Sequence, residues 1–210
     1  MIKAVLFDLD NTLVDFMGMK RICSEAAVDA MIRSGLQMEK KKAVSLLFAL
    51  YKKHGLEYNH IFEDFVKSLK GKTDYRLVAD GIIAYRKQQN AYMKPYPEVI
   101  PTLIKLKERG LKLGIVSDAP AIKGWMRLTE TGIVDFFDTI VTFDDTGERK
   151  PSKKPFLLAL SKLGVKPHEA LFVGDWPERD MGGAHSVGMK TAFAVYGSEH
   201  RGKGAKADFY

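Results

Sequence analysis

Hydrophobic positions change rhythm along the chain, and each rhythm predicts a different kind of element. Residues 2–7 form an apolar run broken only by Lys3, which predicts a buried strand at the start. From Phe16 to about Lys94 the strand signal is absent and helical spacing replaces it. Ile22, Ala26, Ala30 and Met31 form one stripe, and Val44, Leu47, Phe48 and Tyr51 a second. Tyr58, Ile61, Phe62, Phe65, Val66 and Leu69 form a third, and Tyr75, Val78, Ile82 and Tyr85 a fourth. Gly35, Gly55 and Gly71 fall between the stripes, where helix-ending glycines belong. The pattern predicts about four helices packed on one another, with the aromatic residues as their core.

From Tyr96 onward, strands and helices alternate. Helices are predicted over 99–109, 121–130, 155–163 and near 180–187; strands over 111–116, 139–143, 171–173 and 191–195. Such alternation implies a parallel sheet with helices on both faces. The fold class is therefore α/β, with a Rossmann-like core. Because the first strand lies far from the others in sequence, that core is discontinuous, over 1–15 and 96–210, with a helical insert at 16–95. Pro95 and Pro97 suit the return linker. Residues 197–206 read as a Gly/Lys/Arg-rich loop, and 207–210 as the start of another strand.

Composition narrows the classes. A chain of 210 residues, 46% hydrophobic, is ample for a substantial core and unlike a disordered polymer. No apolar run approaches the ~20 residues of a membrane span, and Met1-Ile2-Lys3 leads straight into the first strand, so neither a membrane segment nor a signal peptide is expected. Cys23 is the single cysteine, which excludes an internal disulfide and fits a reducing, cytoplasmic setting. Its helical neighbourhood makes it a packing residue. Asn and Gln total six residues, a composition that leans towards a thermophilic source. The net charge of +7 has two readings, nucleic-acid binding or a positive field that attracts anionic substrates. The basic residues are spread along the chain, and Lys40-Lys41-Lys42 starts a helical pattern rather than forming an arm, which favours the second.

The chemistry sits at strand ends. Asp8-Leu9-Asp10-Asn11-Thr12 follows the first strand. Two acids fixed at the mouth of a sheet repel one another unless a cation or proton lies between them, which suits a hard metal ion with a nucleophile or acid. The strand at 111–116 ends in Ser117-Asp118; Lys150-Pro151 follows the strand at 139–143; the strand at 171–173 ends in Gly174-Asp175, with Asp180 five residues on. In open parallel sheets, ligands bind at the carboxyl ends of the strands. Taken singly, Ser117-Asp118 reads as a helix cap, Lys150 as a surface lysine and Gly174-Asp175 as a turn. Their joint order is what outweighs those readings.

The set resembles the haloacid dehalogenase-like hydrolase superfamily, whose four motifs occur in this order. Asp8 to Thr12 is similar to Asp-x-Asp-x-Thr, Ser117 to a Ser or Thr ending a strand, Lys150 to the lysine of Lys-Pro-x-x-x-x-Phe, and Gly174 to Asp180 to Gly-Asp-x-x-x-x-Asp. One departure is Lys153, where relatives often carry Pro. The resemblance implies Asp8 as nucleophile, Asp10 as general acid and base, Lys150 as the charge on the transferring phosphoryl group, and Ser117 with the amides of Asp118 and Ala119 as phosphate donors. It implies Mg²⁺ held by Asp8, the Asp10 carbonyl and Asp175, with Asp180 behind them. It implies that the insert is a helical cap that closes over the site, and that family members often run somewhat further at the C-terminus. His185 is expected to be structural, and Trp176 either lines the site mouth or packs.

The expected function is a Mg²⁺-dependent phosphatase acting on a small phosphorylated metabolite, such as a triose phosphate or phosphoglycolate, as a monomer or homodimer without nucleic-acid or membrane partners. A sugar-phosphate mutase, a 2-haloacid dehalogenase and a non-catalytic binding protein on the same scaffold stand as alternatives. Asp10 weighs against the dehalogenase, because a halide leaves without a proton. The full set of acids weighs against the binding protein. A cap of about eighty residues weighs against large substrates such as phosphoproteins.

Overall fold

The computed structural model describes residues 1–199 and 206–210. In chain order the elements are β1 (Ala4–Phe7), α1 (Phe16–Arg33), α2 (Lys40–His54), α3 (Ile61–Lys70), α4 (Tyr75–Tyr92), α5 (Val99–Glu108), β2 (Lys112–Val116), α6 (Ala121–Glu130), β3 (Thr139–Val141), α7 (Phe143–Thr146), α8 (Lys153–Leu163), β4 (Ala170–Gly174), α9 (Gly182–Ser186) and β5 (Lys190–Phe193). The chain divides into two compact units, one of Met1–Phe16 with Met93–Tyr210, the other of Met17–Tyr92.

The first unit carries one parallel sheet in the order β3-β2-β1-β4-β5. β1 is central: Phe7 lies opposite Ile115 of β2 on one side and Val173 of β4 on the other. All four residues of β1 are buried, as befits a strand covered on both faces. On one face, Leu6, Phe156, Leu160, Leu163, Phe172 and Met181 share a core. Phe156 and Phe172 meet edge to face with centroids 5.0 Å apart. Strand order reverses about β1, so its carboxyl end opens at the topological switch of the sheet.

In the second unit the helices bury one face each, uniting Ala27, Met31, Leu47, Tyr51, Phe65 and Leu77 among others. The stripes predicted in α2 and α3 are those faces; in α1 the buried face runs through Ala27, Val28 and Met31 rather than Ile22 and Ala26, and in α4 Tyr75 is exposed while Val78, Ile82 and Tyr85 face the core. Gly35, Gly55 and Gly71 take positive φ at helix ends, which a residue with a Cβ adopts poorly. Among the described residues, no helix is long and apolar enough to cross a membrane.

Three local expectations are corrected. The strand expected over 139–143 stops at Val141, because Thr142 caps α7: its amide and hydroxyl bond Asp145 Oδ2 at 2.7 and 2.8 Å. The helix expected near 180–187 begins earlier, as a π-helical turn over Pro177–Met181 that runs into α9. The strand expected from 207 is a single parallel bridge of Phe209 to Ala192. Residues 200–205 of the expected C-terminal loop lie outside the described residues.

Candidate functional site

The site is assembled from the residues that follow β1, β2 and β4, together with the turn before α8. Asp8 continues the register of β1, its amide donating to Val173 O at 2.8 Å. The chain then turns sharply, with the amides of Leu13 and Val14 both donating to Leu9 O. Asn11 takes φ 60°, a left-handed conformation that its side chain tolerates better than most. The turn is clamped from the C-terminal side: the Tyr196 hydroxyl donates to Thr12 O at 2.7 Å, and a Cβ at Gly197 would collide with the Asn11 carbonyl. Asp8 and Asp10 are thus presented from a turn whose backbone is fixed at both ends.

Lys150 is the centre of the charge arrangement. Its Nζ lies 2.6 Å from Asp8 Oδ1 and 2.7 Å from Asp180 Oδ1, and the whole residue is buried. The Lys150–Pro151 peptide is cis. The Lys150 amide donates to Asp118 Oδ1 at 2.8 Å. Carboxylate oxygens of Asp8, Asp175 and Asp180 lie within 4.8 Å of one another. The Thr12 hydroxyl donates to Asp175 Oδ1 at 3.4 Å. The Trp176 amide donates to Asp180 Oδ2 at 2.9 Å, and that bond shapes the π-helical turn. Asp180 packs so tightly on Gly174 that a Cβ there would overlap its carboxylate.

The electrostatics leave this cluster short of positive charge. Three buried carboxylates face one buried ammonium. Burial pushes the Asp8 carboxyl well above the usual carboxylate range; Lys150 opposes the rise, and Asp180, Asp175 and Asp10 add to it. Burial, and then the charge of Asp180, push Asp175 up to about 7. For Lys150 burial works against the charged form, but Asp180 and Asp8 outweigh it and hold the ammonium above its ordinary range. Packed oxygen ligands carrying an excess of two negative charges fit a hard divalent cation, which would let Asp8 and Asp175 ionise together.

The seven residues singled out in the sequence divide into two groups. Asp8, Lys150, Asp175 and Asp180 come together. Asp180, expected behind the others, offers an oxygen to the same cluster while pairing with Lys150. Ser117 stands at the end of β2, its Oγ accepting the Ala119 amide at 3.2 Å, so that amide is already engaged. The Asp118 carboxylate is turned to the protein, bonding the Lys150 amide and Arg179 Nη1 (3.4 Å), which makes the side chain a strut between strand ends. Arg179 in turn stacks on Trp176 at 4.0 Å. His185 accepts a structural place, with Nε2 2.9 Å from the Thr191 hydroxyl and 3.1 Å from Asp208. Asp10 Oδ2 is bonded by Arg127 Nη1 at 2.8 Å.

Arg127 was not singled out in the sequence, and Thr12 was named there as part of the first motif without a role of its own. Arg127 shares the inward face of α6 with Gly124 and Leu128 and is nearly buried. A charged residue at a core position of an otherwise amphipathic helix was the available signal.

The family model of the haloacid dehalogenase-like hydrolases matches residues 5–194. The chain belongs to that family. Among hydrolases of the family, a glyceraldehyde 3-phosphate phosphatase of Methanocaldococcus jannaschii is 38% identical over 197 residues, 94% of this chain and 86% of the relative. The corresponding phosphatase of Methanopyrus kandleri is 39% identical, over 91% of this chain and 83% of the relative. The crystal structure of a HAD phosphatase from Thermococcus onnurineus superposes with a TM-score of 0.68 at 30% identity, covering 99% of this chain and 92% of that one.

Proposed function

We propose that this hydrolase is a Mg²⁺-dependent phosphatase that cleaves a small phosphorylated metabolite, with glyceraldehyde 3-phosphate as its substrate, through an aspartyl-phosphate on Asp8. One observation carries the reading: a buried lysine contacts Asp8 and Asp180 at once, beside Asp175, in a cluster whose carboxylates outnumber that one ammonium. The substrate is favoured by the name and extent of the archaeal relatives.

Asp8 attacks phosphorus, and the bond from phosphorus to the leaving oxygen breaks with its electron pair on that oxygen. Asp10 gives a proton to the departing alkoxide. It then takes one from water as the water attacks the phosphorus of the aspartyl-phosphate, releasing inorganic phosphate and the Asp8 carboxylate. Lys150 lies against the nucleophile and stabilises the charge of the transferring group. Ser117 accepts from Ala119, which leaves its hydroxyl hydrogen to donate to a phosphate oxygen. Asp8, Asp175 and the Asp10 carbonyl, with Asp180 beside them, would hold Mg²⁺, whose charge would offset the repulsion between Asp8 and the phosphate dianion. These groups recognise phosphate alone, so the leaving group is selected by side chains outside this set.

The test is a panel of phosphate esters assayed for inorganic phosphate with Mg²⁺ present. The expected result is a kcat/KM for glyceraldehyde 3-phosphate above those for phosphoglycolate, phosphopeptides and oligonucleotides. A higher value on a phosphopeptide or oligonucleotide overturns the small-metabolite reading. Accumulation of a phosphorylated isomer in place of free phosphate would make the protein a mutase.

A further inference from the structure

Asp10 must present its carboxyl to the leaving oxygen at one moment and to water at the next. The two oxygens of a carboxylate are chemically equivalent until their surroundings distinguish them, so something must decide which oxygen carries the proton. Arg127 is placed to decide it. Its Nη1 lies 2.8 Å from Asp10 Oδ2 across 117 residues of sequence. The guanidinium is itself held, stacked on the Phe16 ring at 4.2 Å and nearly excluded from solvent. It is carried by α6, whose face buries Gly124, Arg127 and Leu128 together.

We propose that Arg127 is a positioning residue for the general acid: by bonding Asp10 Oδ2 from a fixed place, it confines the transferable proton to Oδ1 and aims that oxygen at the leaving group. A guanidinium is a donor in every protonation state it reaches in a protein and cannot accept. Oδ2 therefore accepts from Arg127 whether Asp10 is charged or neutral. The proton of the neutral acid has Oδ1 as its place. When the bond from phosphorus to the leaving oxygen breaks, that proton goes to the departing oxygen, and the negative charge left on Asp10 faces the guanidinium. Stacking on Phe16 and burial limit the rotamers of Arg127, so the geometry is set before substrate arrives. The inference rests on the reading of Asp10 as the general acid.

Two substrates that form the same aspartyl-phosphate separate this role from a merely structural one. Glyceraldehyde 3-phosphate leaves as a poor alkoxide and needs the proton. p-Nitrophenyl phosphate leaves as a stable phenolate and does not. Values of kcat/KM report the step that forms the aspartyl-phosphate, where the substrates differ. Removing the acid by Asp10→Asn should lower kcat/KM for glyceraldehyde 3-phosphate by ~10²–10⁴-fold, and far less for p-nitrophenyl phosphate. Arg127→Met should lower the ratio of the two values by at least about tenfold, the order expected when a catalytic group is misplaced by about an ångström.

Arg127→Lys should recover part of the ratio, since an ammonium can reach Oδ2 but lacks the planar stack. The double variant Asp10→Asn/Arg127→Met should show no further loss of ratio beyond Asp10→Asn alone, because both changes act on one proton transfer. Should Arg127→Met fail to fold, Arg127→Lys carries the same comparison, with a selective loss on glyceraldehyde 3-phosphate expected. A selective loss in Asp10→Asn with an unchanged ratio in the folded Arg127 variants overturns the positioning role alone. An equal loss on both substrates in Asp10→Asn overturns the assignment of Asp10 and the inference with it.

Discussion

Lys150 Nζ and Asp8 Oδ1 lie 2.6 Å apart, although 142 residues separate them in sequence. The contact joins the end of the central strand to the turn before α8, and the same ammonium reaches Asp180 at 2.7 Å. Replacing Asp8 by Asn is nearly isosteric and leaves Lys150 paired with Asp180. Asp8→Asn should therefore fold as the wild type does and should have no turnover, because an amide does not attack phosphorus. Phosphate release within about tenfold of the wild-type rate, measured on p-nitrophenyl phosphate, would sink the assignment of the nucleophile.

Activity should depend on a divalent ion. EDTA should silence the enzyme, Mg²⁺ restore it, and Ca²⁺ do so poorly, because calcium takes a larger and looser oxygen shell that misplaces the nucleophile. Full turnover in buffer stripped of metal would remove the cation from the mechanism.

Asp175 gives a pH dependence whose sign is fixed. Its carboxyl is raised to about 7 in the folded chain, above its ordinary value of 3.8. Between those values the folded, metal-free protein holds a proton that the unfolded chain has lost, so stability falls as pH rises through that window. The cost is absent below the unfolded value and complete above the folded one. Asp175→Asn removes it. Without metal, the variant should melt above the wild type at pH 7.5, and that advantage should shrink as pH falls and vanish only below about pH 4. Mg²⁺ should raise the melting temperature of the wild type more than that of the variant. A pH-independent difference between the two would refute the account.

Gly174 offers a steric test. An added methyl would overlap the Asp180 carboxylate, which is held by the Trp176 amide and Lys150. Gly174→Ala should destabilise the protein by about 1–3 kcal/mol, as overpacking does, and raise the Mg²⁺ concentration needed for half-maximal rate. Calorimetry and a metal titration measure the two effects, and a variant unchanged in both would show that Asp180 has room to move.

Much of this arrangement was legible because strand ends are local features. The apolar runs before Asp8, Ser117 and Asp175 mark where each strand stops, and a parallel sheet brings those stops to one edge. Asp8, Lys150, Asp175 and Asp180 could be named on that basis. Arg127 could not, because its partner is 117 residues away and nothing in α6 says where its inward face will land. The end of β3 was misjudged for a different reason. Thr142-Phe143 prolongs a β-branched and aromatic run, and the capping bonds of Asp145 overrule it. The early start of the turn at Pro177 depends on the Asp180 side chain bonding the Trp176 amide, a contact made only in the folded chain.

The central place of β1 bears on how the protein is made. Ala4–Phe7 is synthesised before the strands it pairs with, which begin at Lys112 and Ala170. At ~5–20 residues per second of synthesis, the strand waits many seconds for its second neighbour. During that interval four apolar residues with two unsatisfied edges travel on a growing chain. Nascent chains stalled before Ala170 should therefore bind holding chaperones through the segment that carries β1, and release them once β4 has emerged.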